Sequence, residues 1–144
     1  MCGILYYKGT QKHLQKAFDK IKHRGPDNST FIHNEDIFIG THRLSIINTT
    51  ETGNQPLKIT NGNKDIFLIC NGQIYNYKDL AIKYNINLKN IRSDVDIILH
   101  LYIKNIPINI ICKELDGDFS FVILDNNNIY VARDCIGVRP LFYA

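Results

Sequence analysis

The second residue of the chain, Cys2, is the first candidate for chemistry. A cysteine is more often a small buried hydrophobe than a reactive group, so the residue type alone does not indicate catalysis. Its position does, because methionine aminopeptidases remove Met1 when the second residue is small. Cys2 would then carry a free α-amine, with a reference pKa of about 7.7 to 8.0, beside its own thiol. An amine and a thiol on one residue predict a nucleophile that needs no catalytic histidine.

The remaining reactive residue types form no pattern of metal or nucleic-acid binding. Cys70, Cys112 and Cys135 are far apart and the five histidines show no ligand spacing, so no metal site is expected. The 17 basic residues are scattered and the net charge is only +3, which argues against a nucleic-acid partner. No stretch approaches the roughly 18 to 20 apolar residues of a membrane span, and no signal-peptide pattern is present. We therefore expect a cytoplasmic, disulfide-free protein that does not bind membranes, with these three cysteines in or near the core.

The elements that must position Cys2 fit one domain over residues 1–144. Alternating and continuous apolar runs predict strands over 2–6, 30–33, 37–45, 65–70, 118–124 and 129–133. Helical spacing predicts helices over 12–22, 77–84, 94–104 and 108–115, the third with Ser93 as its N-cap. The Asn71-Gly72 pair, read locally, predicts a tight turn after its strand. The predicted class is α+β with mostly antiparallel sheet.

Short sequence blocks recur in a fixed order along the chain. They are MCGI at 1–4, HRGPD at 23–27, THRLSII at 41–47, QPL at 55–57, NGQIYN at 71–76, SD at 93–94, LDG at 115–117 and RDCIGVRPL at 133–141. In type and order they resemble the glutaminase domain of the asparagine synthetases, which are class II glutamine amidotransferases and N-terminal-nucleophile hydrolases. The resemblance covers essentially the whole chain. The HRGPD and NGQIYN blocks favour this family over amidophosphoribosyltransferase or glucosamine-phosphate synthase.

The resemblance implies a fold and a reaction. The family's fold is a four-layer sandwich, with two antiparallel sheets between helical layers. In its reaction, the Cys2 thiolate would attack the side-chain amide of L-glutamine, and water would then release glutamate from the thioester. The Asn71 side chain and the Gly72 N–H would stabilise the oxyanion, and losing one such donor costs on the order of 10² to 10³ in turnover.

The same resemblance implies the substrate-binding residues. Arg43 would bind the glutamine carboxylate, preferably in a bidentate pair, and Asp94 would bind its ammonium group. The backbone of Leu44, Ser45, Ile46 and Ile47 would complete the shell, together with Asn71, Gly72 and Gln73. Each position also has an ordinary structural explanation: a surface arginine, a hairpin turn at Asn71-Gly72, and for Asp94 an acid that complements a helix dipole.

One position departs from the family. Asparagine synthetases usually carry glutamate after the Asn-Gly pair, whereas this chain has Gln73, so we expect weaker glutamine binding. His23, Arg24 and Asp27 are predicted to form a supporting loop near the site. Arg133 and Asp134 are predicted to form a buried pair that fixes the following loop.

The resemblance also indicates what these residues lack. No SGGxDS-like pyrophosphate-binding loop occurs, so we expect neither a synthetase domain nor a cofactor within these residues. ATP and magnesium would belong to that absent domain. In the family several strands follow the last block, so we expect the fold to be incomplete at the C-terminus, with an exposed sheet edge. A synthetase subunit or domain and a second copy of the chain are therefore candidate partners.

The sequence is compatible with two functions. In the first, the chain is a glutaminase that acts alone or supplies ammonia to a separate synthetase for asparagine synthesis. In the second, it is a catalytically inactive relic that binds glutamine or a protein. The intact set of Cys2, Arg43, Asn71, Gly72 and Asp94 favours the first function. Gln73 and the expected truncation favour the second.

Overall fold

The computed structural model describes residues 1–9, 13–34, 36–126 and 128–144. The strands are β1 (Gly3–Lys8), β2 (Asn28–Asn34), β3 (Ile37–Arg43), β4 (Leu57–Asn61), β5 (Lys64–Ile74), β6 (Gly117–Asp125) and β7 (Asn128–Arg133). The helices are α1 (Leu14–Asp19), α2 (Tyr77–Lys83), α3 (Ile97–Ile103) and α4 (Ile108–Glu114). Short 3₁₀ helices cover Lys22–Arg24, Glu51–Gly53, Leu88–Asn90 and Asp94–Asp96.

Two antiparallel sheets form the centre of the structure. The first sheet has the strand order β1-β3-β2 and the second has the order β4-β5-β6-β7. Strand β5 pairs with β6 along its length, from Ile66 opposite Asp125 to Ile74 opposite Gly117. Its pairing with β4 ends at Leu68, opposite Leu57. The far end of β5 therefore has a sheet neighbour on one side only.

Three apolar clusters show how the layers stack. Ile39, Ile69 and Val122 meet between the two sheets. Outside the first sheet, Phe18 of α1 packs on Phe38. Outside the second sheet, α2, α3 and α4 form the largest cluster with the outer face of β5 and β6. The order is thus helix, sheet, sheet, helices, and the expected four-layer α+β sandwich is confirmed.

Most predicted elements are present, with shifted ends. The helix predicted over 12–22 is α1 followed by a 3₁₀ turn, and its position 12 lies outside the described residues. The strand predicted over 37–45 ends at Arg43. The hairpin predicted from residues 118–124 and 129–133 is β6 and β7, although position 127 in its turn is outside the described residues. Cys70 is buried and Cys112 half-buried as expected, but Cys135 is exposed because it lies in a surface loop.

The tight turn predicted at Asn71-Gly72 is wrong. Both residues lie inside β5, which continues to Ile74. Glycine is required there by close approach, because a Cβ on Gly72 would lie 2.1 Å from the Asp118 carbonyl oxygen on β6. The dipeptide therefore reflects tight packing between two strands and not a reversal of the chain.

Asp96 anchors the start of the α3 layer in place of the predicted Ser93 cap. Ser93 forms no capping hydrogen bond, and its buried Oγ has no partner among the described residues. Asp96 is fully buried and accepts from the backbone N–H and the guanidinium of Arg92, at 2.7–3.0 Å. His100 Nε2 lies 3.6 Å from it. Burial alone would raise the pKa of Asp96, but His100 and Arg92 outweigh burial and hold it at about 2.

Two features are absent from the part of the chain that the structure describes. No described helix is long and apolar enough to span a membrane. Within the same ranges, no three His, Cys, Asp or Glu side chains are grouped as metal ligands.

We predict that Asp96→Asn lowers the free energy of unfolding by about 2 kcal/mol at pH 7, since a pKa unit corresponds to about 1.4 kcal/mol. The folded pKa lies below the ordinary value of 3.8, so this stabilisation is complete above pH 4 and is lost as the pH falls toward 2. Urea unfolding of both proteins at pH 7, 5 and 3 measures the difference. Asp65→Asn, which removes an exposed pair with Lys58, is the control and should change little. An equal loss in the two variants would contradict the anchoring role.

Candidate active site

A cleft of about 130 Å³ opens at the ends of β1, β3 and β5. Of the ten predicted site residues, nine line it: Cys2, Arg43, Leu44, Ile46, Ile47, Asn71, Gly72, Gln73 and Asp94. Ser45 does not line the cleft, and its N–H donates to Asp27 Oδ2 at 2.7 Å. The structure therefore brings together residues that are up to 92 positions apart in the sequence.

Cys2 is held by its backbone, and its side chain lies at the cleft. Its N–H donates to Asn71 Oδ1 at 3.0 Å, and its carbonyl oxygen accepts from Arg24 Nε at 3.3 Å. Its thiol lies 3.8 Å from the Leu44 carbonyl oxygen, which accepts the S–H. With both backbone groups bonded, the position of the sulfur depends mainly on one side-chain torsion.

Asn71 presents a hydrogen-bond donor beside this thiol. The amide oxygen must face Cys2, because the backbone N–H of Cys2 can only donate. The Nδ2 group then points elsewhere and forms no hydrogen bond with a described residue. Asn71 is almost fully buried, so the orientation of its amide is fixed by this contact and by the surrounding strands.

The backbone of β5 presents a second donor. Successive N–H groups of a strand alternate in direction, so those of Cys70, Gly72 and Ile74 share the edge that β4 leaves open. The Cys70 N–H donates to Gln55 Oε1 at 2.6 Å, and the Ile74 N–H donates to Asp94 Oδ2 at 2.8 Å. The Gly72 N–H lies between these two capped groups and faces the cleft that Gly72 lines. Two donors, from Asn71 and Gly72, can therefore meet one oxygen atom.

Arg43 supplies a buried positive charge without a carboxylate partner among the described residues. One end of its guanidinium donates to the Thr50 carbonyl oxygen at 3.0 Å and to Asn54 Oδ1 at 2.7 Å. The other end donates to the carbonyl oxygens of Ile47 and Asn48. In this arrangement Arg43 can bind a ligand in the cleft only through its Nε–H and its net charge. Both terminal nitrogens, which would form the predicted bidentate pair, are bonded to the loop 47–54 instead.

Asn48 links this loop to the opposite wall of the cleft. Its carbonyl oxygen accepts from Arg43, and its Nδ2 donates to the Arg92 carbonyl oxygen at 2.5 Å. Its Oδ1 accepts from the N–H and the hydroxyl of Thr50. Because Arg92 is bound to Asp96, the two walls are connected by a continuous set of hydrogen bonds.

Asp94 supplies the negative charge of the cleft. It is buried, and its Oδ2 accepts from the Ile74 N–H, which leaves Oδ1 for a ligand. Burial raises the pKa of Asp94, and the hydrogen bond from Ile74 opposes that shift only in part. A cationic ligand group in the cleft would favour the ionised carboxylate.

Gln73 lies beside an ion pair that the sequence did not reveal. It is opposite Asp118 in the β5–β6 register, and Asp118 pairs with Arg139, which also lines the cleft. The hydroxyl of Tyr75 donates to the same carboxylate. The negative charge of Asp118 is therefore compensated, and Gln73 adds no charge of its own.

The predicted Arg133–Asp134 pair is wrong, because Arg133 is exposed and Asp134 is satisfied by backbone groups. Its carboxylate accepts the N–H groups of Phe119, Ile136, Gly137, Val138 and Arg139. Burial would raise the pKa of Asp134, but these donors lower it. The following loop is fixed as predicted, but by Asp134 and not by an Arg133–Asp134 pair. The fixed loop places Arg139 at the cleft.

Several contributors were missed or only partly assigned from the sequence. The support predicted for residues 23–27 is present: Arg24 holds Cys2, and Asp27 holds Ser45. His23 is exposed, and its one ring hydrogen bond among the described residues is to the Lys20 carbonyl oxygen. The sequence blocks that contain Gln55 and Arg139 assign no role to either residue; their amide and their cation are the signals that could have indicated one.

The chain matches a family model and several curated proteins. The model described as "Glutamine amidotransferase domain" matches residues 1–144. The chain is 40% identical to a probable glutamine-hydrolyzing asparagine synthetase of Acanthamoeba polyphaga mimivirus, covering 99% of this chain and 27% of that protein. It is 39% identical to the glutamine-hydrolyzing asparagine synthetase of Sandersonia aurantiaca, covering 99% and 28%. The chain thus spans about a quarter of the length of these relatives.

Solved structures agree on the fold. Glutamine phosphoribosylpyrophosphate amidotransferase from B. subtilis, solved with ADP and GMP, matches with a TM-score of 0.72 at 18% identity. The match covers 92% of this chain and 36% of that one. This likeness concerns the fold alone. The family match over all 144 residues shows that the chain belongs to the glutamine amidotransferase domain family.

Proposed function

We propose that this cleft hydrolyses L-glutamine to glutamate and ammonia, with Cys2 as the nucleophile. The observation that carries the proposal is the contact between Cys2 and Asn71, next to the Gly72 N–H. It puts a thiol and two hydrogen-bond donors in one cleft, which is what attack on an amide carbonyl requires. The relatives that are named glutamine-hydrolyzing asparagine synthetases support glutamine as the substrate.

The first step requires removal of Met1, which lines the cleft and is half exposed. Its removal frees the α-amine of Cys2, which takes the thiol proton. The thiolate then attacks the side-chain carbonyl carbon of glutamine, forming a C–S bond. Asn71 Nδ2 and the Gly72 N–H stabilise the resulting oxyanion. When the intermediate collapses, the C–N bond breaks and the amine returns its proton to the departing ammonia.

In the second step water hydrolyses the γ-glutamyl thioester. The α-amine of Cys2 accepts a proton from the attacking water, the same two donors stabilise the second oxyanion, and the C–S bond breaks. Glutamate leaves, and the sulfur recovers its proton. Each step uses the same donors, and we propose that no cofactor takes part in this domain.

Binding would rest on the two charges of the cleft that have no oppositely charged partner among the described residues. Arg43 meets the α-carboxylate through its charge and Nε–H, and Asp94 Oδ1 accepts from the α-ammonium. The segment from Leu44 to Ile47 forms the wall beside the thiol. Ser45 contributes to this wall only through the hydrogen bond from its N–H to Asp27, which fixes the segment.

We propose that the ammonia serves asparagine synthesis on polypeptide outside these residues. The support is the identity of 36–40% to proteins named asparagine synthetases, of which the chain spans only about a quarter. ATP and magnesium would be needed at that second site and not in this cleft.

We predict that purified protein releases ammonia and glutamate from L-glutamine in equal amounts, and that Cys2→Ala abolishes the release. Cys112→Ala, which changes a half-buried cysteine on α4, is the matched control and should retain activity. Mass spectrometry of the same preparation establishes whether Met1 is absent. Folded wild-type protein that lacks Met1 and releases no ammonia would contradict the proposed function.

We predict that Asp94→Asn raises the KM for glutamine about 10-fold to 100-fold, because a hydrogen bond to a charged group contributes about 1.5 to 3 kcal/mol. In the wild type, the raised pKa of Asp94 means that its carboxylate is protonated at a higher pH than an ordinary aspartate. The wild-type KM should therefore rise as the pH falls, whereas the variant's KM should depend little on pH. Initial-rate kinetics from pH 4.5 to 8 test this, and parallel profiles would refute the ammonium-binding role.

We predict that Gln73→Glu lowers the KM about threefold to tenfold, because a second carboxylate at the cleft adds roughly 1 kcal/mol of attraction for the ammonium group. The kcat should change little, since the ammonium is bound equally in the ground and transition states. Gln73→Met, which cannot accept a hydrogen bond well, should move the KM in the opposite direction. Unchanged KM values in both variants would show that residue 73 does not touch the substrate.

A further inference from the structure

We infer that Gln55 is a positioning residue for the oxyanion donors, acting through the backbone of Cys70. The inference rests on the proposed function and deepens it. Gln55 lies at the cleft and is almost fully buried. Its Oε1 and Nε2 atoms are both bonded to Cys70, so the side chain is directed at the backbone of β5 and not at the position between Asn71 and Gly72 that the reacting carbonyl would occupy.

The geometry of the β4–β5 pair explains why this side chain is needed. In that register Leu57 is opposite Leu68, so the residue opposite Cys70 would be Gln55. The backbone pairing ends before that point, because β4 begins at Leu57. The Gln55 side chain continues the pairing instead: Oε1 accepts from the Cys70 N–H at 2.6 Å, and Nε2 donates to the Cys70 carbonyl oxygen at 3.1 Å.

A primary amide is suited to this position because it carries one acceptor and one donor in a plane, as a backbone peptide group does. It satisfies both polar groups of Cys70 that β4 no longer reaches. The next pair of residues along β5 is Asn71 and Gly72. A shift of the Cys70 peptide group would therefore move the Gly72 N–H and the Asn71 side chain directly.

The other end of this edge is held by Asp94 through the Ile74 N–H. Gln55 and Asp94 thus cap β5 on either side of the Gly72 N–H and leave it as the open donor. This arrangement predicts different kinetic effects for the two caps. Loss of Gln55 should reduce kcat, because oxyanion stabilisation is needed only in the transition state. Loss of the Asp94 charge should raise KM.

The test compares Gln55→Ala, Gln55→Glu and the control Ile66→Val by steady-state kinetics and thermal unfolding. Ile66 is a buried residue of β5 outside the cleft, and its shortening costs about 0.5 to 1.5 kcal/mol of stability. We expect Gln55→Ala to lower kcat about 10-fold to 100-fold with KM within twofold. Ile66→Val should be destabilised but keep its kcat. A kcat for folded Gln55→Ala equal to that of the control would overturn the inference.

Gln55→Glu allows a second test, because a merely structural role of residue 55 would not make kcat depend on pH. An ionised glutamate can accept from the Cys70 N–H but cannot donate to the Cys70 carbonyl oxygen, whereas a protonated one can do both. The titratable groups that act on the Cys70 side chain beside Gln55 are Asp94, Cys2, Asp118 and Arg139, and the Arg43 guanidinium binds the adjacent Asn54. Burial and the two carboxylates raise the pKa of a glutamate placed at position 55, and the two arginines oppose that rise. At saturating glutamine, kcat relative to wild type should therefore rise as the pH falls. If the ratio of the Gln55→Glu kcat to the wild-type kcat stays constant with pH, the inference is overturned. This test remains valid even if Gln55→Ala does not fold.

Binding separates this inference from the proposed function. In a Cys2→Ala background, calorimetry with L-glutamine should give the same Kd, within twofold, with and without Gln55→Ala. A wild-type protein that hydrolyses no glutamine contradicts the proposed function. A wild-type protein that is active, while the Gln55 variants keep a normal kcat, contradicts the positioning role alone.

Discussion

The hydrogen bond from the Cys2 N–H to Asn71 Oδ1 joins the two sheets at the cleft, and the chemistry of the site depends on it. Cys2 precedes β1 in one sheet, and Asn71 lies on β5 in the other. A single hydrogen bond contributes only about 0.5 to 1.5 kcal/mol, so it cannot set the spacing of the sheets. The apolar layer around Ile39 and Ile69 does that, because packed sheets lie about 10 Å apart. Core packing thus fixes the distance, and the hydrogen bond fixes which atoms of Asn71 face the thiol and the substrate.

The distribution of charge distinguishes binding groups from structural ones. Asp118 is neutralised by Arg139, and Asp96 by Arg92, so these pairs have little charge left for a ligand. Arg43 donates to carbonyl oxygens and Asp94 accepts from the Ile74 N–H, so dipoles stabilise both charges without an opposite charge among the described residues. A buried charge held in this way keeps its attraction for a ligand. One cation and one anion in a small cleft suit a zwitterionic amino acid.

Periodicity at α1 and alternation in the strands are local signals, and they predicted the α+β class. The four layers were predicted only by the resemblance of the ordered blocks to one family. Sequence patterns gave wrong predictions where the local structure depends on backbone groups that are distant in the sequence. Asn71-Gly72 has the dipeptide of a turn, but the approach of Asp118 on β6 decides that the glycine is needed within a strand. Asp134 was assigned to its neighbour Arg133, although its five partners are backbone groups up to 15 residues away. The role of Gln55 depends on where β4 begins relative to β5, which no local pattern reveals.

The cleft requires a feature that sheets normally avoid, which is an unpaired N–H on a strand edge. The open stretch at the end of β5 is short, and two of its three outward N–H groups are capped by the side chains of Gln55 and Asp94. The third, on Gly72, faces the cleft, where water can satisfy it before a substrate arrives. The absence of a Cβ at Gly72 lets β6 approach closely from the other side, so the strand is supported on its paired edge while its other edge stays open. At Gly72, stability therefore depends on the edge of β5 that pairs with β6, and reactivity depends on the opposite edge, which faces the cleft.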